Sequence, residues 1–376
     1  MKIYVYSPNL FTQDGAGKSL KQMIQGLSIR GHECTVLILD QSGQPLLEDV
    51  QQDDFKNIIV CGKGSGENAS PVDPLIQAML DLQETLASLP LPDVMMTLTP
   101  MCTAVARVVM NTMKPRPTIV SRVSTVFSKH DNYEQLIYAD AHLAINSGIA
   151  EKIVEMNPDA LVQTVYHPIH DENIRLVPRA KTPTFLYIGR VFNLQKRIDV
   201  LLRALAALPN KSWKLRLIED ALPEPGSSDE IRMKDLAFKL GIADRIEWCG
   251  YRESPWEEVD EATVLILPSD WEAHCYVLIE ALIRGIPVIS SDCPTGPRDI
   301  IQHGHNGWLF KPGDVLGLAG TINRIMTGSL TLPDADTCKD SIKHFDQDLV
   351  MDRIEQALYT YVGEGGKQIS CTDLVK

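Results

Sequence analysis

No run of about 18 apolar residues occurs in the chain, so none of it reads as a membrane-spanning helix. The eight cysteines, Cys34, Cys61, Cys102, Cys249, Cys275, Cys293, Cys338 and Cys371, form no C-x-x-C pair and no Cys/His cluster. That pattern argues against a zinc site, and isolated cysteines inside apolar runs read as buried free thiols in a reducing compartment. Basic residues are in short supply: 36 Lys+Arg stand against 49 Asp+Glu, for a formal net charge of -13. Nucleic acid and anionic membrane surfaces are poor partners for such a chain. An anionic ligand has to be held by a few placed cations or by backbone amides. The opening MKIYVYSPNL lacks the long apolar core of a secretion signal, which points to the cytoplasm. There is also no internal repeat at the 20 to 50 residue scale.

What is present is the composition of an ordinary globular protein, 44% hydrophobic and 23% charged, in 376 residues, long enough for two cores. Short β-branched runs alternate with longer helix-like stretches, the pattern of parallel sheets with covering helices. Strands are expected at Ile3–Tyr6, Thr35–Leu39, Asn57–Cys61, Val94–Leu98, Thr118–Arg122, His142–Ile145 and Val162–Val165, with helices such as Lys18–Arg30 and Pro74–Leu89 between them. The pattern lapses over Tyr166–Pro183, rich in proline and charge, which reads as a linker. It resumes with strands at Thr184–Ile188, Lys214–Ile218, Arg245–Cys249, Thr263–Leu267, Pro287–Ser290 and Gly307–Phe310, and helices at Arg197–Ala207, Ser228–Leu240 and Tyr276–Arg284. The expected organisation is an N-terminal Rossmann-like domain over 1–168, a second over 183–345, a helix over 346–364 returning to the first, and a tail over 365–376. The fold class is α/β, with two doubly wound parallel-sheet domains facing across a cleft.

The first βα junction, SPNLFTQDGAGKSLKQMI, ends in Gly17-Lys18-Ser19 but carries Thr12 where a phosphate loop needs glycine, so that motif fails. What survives is a flexible loop, Gly15-Ala16-Gly17, opening a helix whose free amides can approach an anion or an acceptor. A tight turn without a ligand reads equally well. In the second half, the strand ending at Gly189 is followed at once by Arg190, with Lys196 six residues on and read at a helix start. Two cations at the carboxyl edge of a parallel sheet suit a diphosphate whose charge grows as it leaves. Glu272 and Glu280 are separated by seven residues. On one helix they would share a face about 12 Å apart, enough for a nucleotide sugar lying along it. The apolar neighbours Leu278, Ile279, Ala281 and Leu282 disfavour Glu280 as a mere surface carboxylate.

These residues, together with Pro287–Pro297 (PVISSDCPTGP), resemble the retaining GT-B glycosyltransferases of family 4 over roughly residues 183–312. The resemblance implies transfer of a hexose-type sugar from a nucleotide diphosphate, uridine being the commonest base, to a hydroxyl of a glycan or lipid-linked acceptor in polysaccharide or lipopolysaccharide synthesis. It implies that Glu280 holds the ribose, that Glu272 contacts the donor sugar, and that Arg190 and Lys196 clamp the diphosphate beside Gly189. The amides of His274, Cys275, Tyr276 and Val277 would cradle the same group, and the base would lie beside Gly250, Tyr251 and Arg252. It further implies retention by front-face transfer, the leaving phosphate taking the acceptor proton, with no protein nucleophile.

Three departures stand out. Ala273-His274-Cys275 replaces the usual Gly-aromatic-Gly; Glu219-Asp220-Ala221 replaces a glycine-rich turn; and the Arg190 to Lys196 gap is one residue longer than usual. In the first half, the polar patch from Arg122 to Asp131 places His130 where similar enzymes keep an active-site histidine or arginine, although a solvated loop histidine is the commoner case. The D-x-D pairs Asp334/Asp336 and Asp346/Asp348 follow no sheet strand: the first reads as part of a proline-flanked loop and the second opens the last helix, where acids favour the dipole, so no metal and no other cofactor is expected. An epimerase acting on the free sugar nucleotide and a non-catalytic two-domain binding protein are the competing readings. Peripheral contact with the inner face of a membrane stays open.

Overall fold

A computed structural model of the chain describes residues 1–8, 15–39, 57–62, 73–124, 132–169, 174–221, 228–273 and 275–364. In chain order its elements are β1 Lys2–Ser7, α1 Gly15–Ile29, β2 Glu33–Leu39, β3 Ile58–Cys61, α2 Pro74–Ala87, β4 Val94–Thr97, α3 Pro100–Met110, β5 Thr118–Val123, β6 Ala141–Ala144, α4 Ser147–Met156 and β7 Val162–Thr164. There follow β8 Thr184–Ile188, α5 Asn193–Lys196, α6 Ile198–Ala207, β9 Lys214–Glu219, α7 Asp229–Lys239, β10 Ile246–Tyr251, β11 Val264–Leu267, α8 Tyr276–Ile283, β12 Val288–Ser291, α9 Pro297–Ile300, β13 Gly307–Phe310, α10 Val315–Met326, α11 Ala335–Asp340 and α12 Gln347–Glu364. The expected strands lie within a residue or two of these. The chain divides into two compact units, Met1–Ile169 with Gln347–Lys376, and His170–Asp346.

The first unit carries the sheet β3-β2-β1-β4-β5-β6-β7, parallel throughout. Side chains alternate across a strand, so β1 feeds two cores. Ile3 and Val5 pack with Leu20, Met23 and Leu27 of α1 and with Val350, Ile354 and Leu358 of α12. Tyr4 and Tyr6 pack on the other face with Leu82 and Leu86 of α2 and Val105 and Met110 of α3. Burial on both faces is why these strands read as continuous apolar runs. The Tyr361 hydroxyl of α12 donates to the His142 carbonyl of β6 at 3.1 Å, and Arg30 pairs with Asp352 and Glu355.

Gly15-Ala16-Gly17 does not form a loop ahead of the helix; it is the first turn of α1. Burial explains the earlier start, because Gly17, Ser19 and Leu20 are already covered, so the helix begins where its inner face does.

The second unit carries the sheet β10-β9-β8-β11-β12-β13, also parallel throughout. Its strand order reverses between β8 and β11, and the carboxyl ends of those two strands are where an open α/β sheet leaves room for a ligand. At the β12–β13 pairing, Gly307 lies so close to Val288 that an added Cβ would sit 2.3 Å from the Val288 carbonyl oxygen. Gly307→Ala is therefore expected to lower stability by about 2 kcal/mol through overpacking. Urea denaturation followed by tryptophan fluorescence checks this, because all five tryptophans belong to this unit. Among the described residues, no helix is long and apolar enough to cross a membrane.

Candidate active site

β8 ends at Ile188, and Gly189 takes φ +151°, a conformation that favours glycine. A Cβ there would also meet the Tyr187 hydroxyl at 3.2 Å. That hydroxyl donates to the Arg190 carbonyl at 2.8 Å. The next residues are pinned from below. The Val191 amide favours the charged form of the Glu219 carboxyl at the end of β9. The Asn193 amide donates to Asp229 Oδ2 at 2.8 Å. Burial, with Glu230 adding, raises the Glu219 carboxyl above its ordinary range. Burial also raises the Tyr187 phenol well above its own, with Asp220, Glu272 and Glu219 adding to the effect.

Lys196 ends the short helix α5 rather than starting a helix. Arg197 then turns left-handed, φ +49°, before α6, so the sequence reading of a helix start at Lys196 is corrected by one half-turn break. The break arises because Arg197 is bound on both sides: its guanidinium reaches Asp199 at 3.0 Å and Asp270 at 2.7 Å. Two further bonds tie this segment to the loop after β11. The Asp270 amide donates to the Gln195 carbonyl at 2.8 Å, and the Gln195 side-chain amide donates to the Trp271 carbonyl at 3.0 Å.

The consequence is a contact between residues 76 apart in sequence: Lys196 Nζ lies 2.6 Å from Glu272 Oε1. Ser269 Oγ donates to the same oxygen at 2.6 Å, and Thr295 Oγ1 donates to the Glu272 carbonyl. Both charged side chains are largely covered, at 14% and 8% exposure. Burial works against the Lys196 ammonium, yet Glu272 outweighs it and holds the lysine above its ordinary range.

Glu272 is not on the helix with Glu280. It lies in the loop after β11, and α8 starts only at Tyr276, after Cys275 has turned left-handed at φ +51°. The two glutamates therefore do not share a helical face; the tight packing of this turn forces the break. A Cβ on Gly296 would meet the Cys275 sulfur at 3.0 Å and the Ala273 carbonyl at 3.1 Å. Burial, with Glu272 next, pushes the Cys275 thiol well above its ordinary range, so it is a packed thiol and not a nucleophile. Val277 and Cys275 are buried; Tyr276 opens α8 beside them.

Glu280, in the second turn of α8, accepts from the Trp256 indole at 2.9 Å, and the Arg284 guanidinium stacks over that indole at 4.4 Å. Tyr251 ends β10 partly exposed, and Arg252 binds Glu258 at 3.1 Å. The Arg252 amide donates to the Glu219 carbonyl at 2.8 Å, which links this loop to the one after β8. The structure thus brings Gly189, Arg190, Lys196, Glu272, Cys275, Tyr276 and Val277 to the carboxyl ends of β8 and β11. Trp256, Ser269, Thr295, Glu219 and Asp229 are additions that sequence reasoning missed; all but Ser269, which binds Glu272 only three residues on, act through contacts distant in sequence, which no local pattern signals.

His130 and His274 lie outside the described residues. Gly15, Ala16 and Gly17 belong to the first unit, as does Arg122, which is buried in β5 and donates to Ser19 Oγ and to His167 Nδ1, each at 2.9 Å. His167 Nδ1 is thereby an acceptor. Asp334 caps α11, accepting from the Thr337 amide at 2.7 Å, and Asp348 sits in the first turn of α12.

Residues 170–344 match the family described as Glycosyl transferases group 1. The second unit is a glycosyltransferase group 1 domain. The chain is 33% identical over 242 residues to a lipopolysaccharide 1,6-galactosyltransferase of Escherichia coli K12, covering 62% of this chain and 65% of that one. It is 35% identical over 235 residues to the protein of that name from Salmonella typhimurium LT2, covering 60% and 63%. The match thus spans somewhat under two thirds of the length of these relatives. Among solved structures, an apo lipopolysaccharide outer core galactosyltransferase, WaaB, superposes with a TM-score of 0.82 at 27% identity, covering 96% of this chain and 99% of that one. Two parallel-sheet α/β domains are common to both.

Proposed function

We propose that this glycosyltransferase group 1 protein moves a hexose-type sugar, with retention, from a UDP-sugar to a hydroxyl of a glycan or lipid-linked acceptor in lipopolysaccharide or polysaccharide synthesis. The observation that carries the reading is the Lys196–Glu272 pair, 2.6 Å apart at the strand-order reversal of the second sheet. The galactosyltransferases it resembles support a hexose and a surface glycan.

In this reading Arg190 and Lys196 take the diphosphate, and their charge meets the charge that grows on the leaving group. The α8 amides at Cys275, Tyr276 and Val277 add their partial positive charge, with no metal assigned a part. Glu272 faces the sugar, and Ser269 fixes its rotamer through Oε1. Glu280 holds the ribose, oriented by the Trp256 indole, beside a base set near Tyr251 and Arg252. The leaving phosphate oxygen accepts the acceptor's proton, so no side chain need act as nucleophile. The setting is the cytoplasm, with peripheral contact at the inner face of the membrane when the acceptor is lipid-linked.

Saturating UDP is expected to raise the thermal midpoint of the second unit, since only the folded state binds it. Glu280→Ala is expected to weaken UDP binding about tenfold, because a hydrogen-bonded charged contact is worth about 1.5–3 kcal/mol. Calorimetric titration of the native and Glu280→Ala chains checks both. A native chain whose midpoint ignores UDP, GDP and ADP alike would end the reading.

A further inference from the structure

Two buried carboxylates stand beside the backbone of the segment from Arg190 to Lys196. Glu219 and Asp229 are each 4% exposed. The Val191 amide favours the charged form of Glu219, while Asp229 Oδ2 accepts from the Asn193 amide at 2.8 Å and its Oδ1 pairs with Arg232. With the Tyr187 hydroxyl on the Arg190 carbonyl, two of the first four residues after Gly189, Arg190 and Asn193, have a main-chain group hydrogen-bonded by a side chain from outside the segment. On the outer side, Gln195 is bound to Asp270 and Trp271.

A loop that must present two cations to a diphosphate gains from such fixing, because the cost of ordering it is met before the ligand arrives. Carboxylates suit the task, since a charge-assisted bond to an amide is stronger than a neutral one. Their placement also matters. Anions beside a diphosphate would repel it, and here both are buried, with the Asp229 oxygens taken by the Asn193 amide and by Arg232. Glu219 has a second link, its carbonyl accepting from the Arg252 amide at 2.8 Å.

We propose that Glu219 and Asp229 are positioning residues for the donor diphosphate: they set the Arg190–Lys196 segment, and through it the two cations, without touching the ligand. This inference rests on the donor reading above. It also explains why Glu219 stands where a glycine-rich turn is usual. The carboxylate replaces backbone flexibility with a fixed acceptor.

The test compares UDP with uridine, which lacks the diphosphate, by calorimetry on the native chain and on Glu219→Ala, Glu219→Gln, Asp229→Ala and Asp229→Asn. The alanine variants are expected to lose about tenfold in UDP affinity, with uridine affinity within about twofold of native. The amide variants keep an acceptor oxygen and are expected to recover UDP affinity to within about threefold of native. Loss of UDP and uridine in equal proportion marks a general structural role and overturns the inference, as does an alanine variant that binds UDP like the native chain. In both cases the donor reading survives, because the native chain binds. A native chain that binds no UDP takes down the donor reading and this inference together.

Discussion

Glu272→Gln is expected to lower the turnover number for glycosyl transfer about two to three orders of magnitude while leaving the second unit folded. Glutamine matches glutamate in volume, and its oxygen can still accept from Lys196 and Ser269, so the geometry of the turn persists. What disappears is the negative charge that the proposed function sets beside the sugar. Departure of a diphosphate builds positive charge at the anomeric carbon, and a fixed anion there lowers the barrier more than it lowers the ground state. The loss should therefore fall on kcat, with UDP affinity little changed. Steady-state turnover with UDP-hexose and acceptor, alongside a UDP titration, separates the two. Turnover within threefold of native would remove Glu272 from the reacting centre.

The same pair sets an alkaline limit. The folded-state pKa of Lys196 is raised above the ordinary value of 10.5. Its contribution to stability is thus full below that value and is lost as pH climbs through the higher folded-state value. Neutral pH leaves the pair intact, and the second unit should weaken only on the alkaline side.

Much of this was legible in the chain because parallel strands buried on both faces advertise themselves as apolar runs, and alternation with helices fixes their connection. The cations at Arg190 and Lys196 were legible for a similar reason: a glycine ending a strand marks the ligand edge of the sheet. The geometry between Glu272 and Glu280 was not. Sequence spacing suggested one helix, but left-handed Cys275 breaks it, in a turn packed against Gly296 more than twenty residues on. The first turn of α1 was misplaced because glycine propensity argues for a loop, whereas the cover over Gly17 and Ser19 decides for a helix. Trp256, Glu219 and Asp229 carry no local signal, since each meets its partner through sheet topology. Trp256 sits in a 3-10 turn 24 residues before Glu280, yet one hydrogen bond joins the two.

Lys196→Met probes the other half of the ion pair, and its expected effect is on stability as much as on binding. Methionine fills the space of the aliphatic stem, so packing around α5 is kept and only the ammonium is lost. Glu272 is then left with Ser269 as the hydroxyl on Oε1, in a place where its side chain is 8% exposed. Stranding one member of a buried pair costs about 3 kcal/mol, whereas an exposed pair would cost under about 1 kcal/mol. Urea denaturation read by tryptophan fluorescence reports this unit alone, because the first unit has no tryptophan. The cycle is closed with Glu272→Gln and the double variant. If the penalty is the unpaired anion and not lost packing, Lys196→Met/Glu272→Gln should be the more stable of the two lysine-free proteins by about 2 kcal/mol. Equal stability for both would assign the cost to the methionine itself. Neither lysine-free protein should gain thermal midpoint from UDP, because restoring charge balance in the turn does not restore the cation that the diphosphate needs.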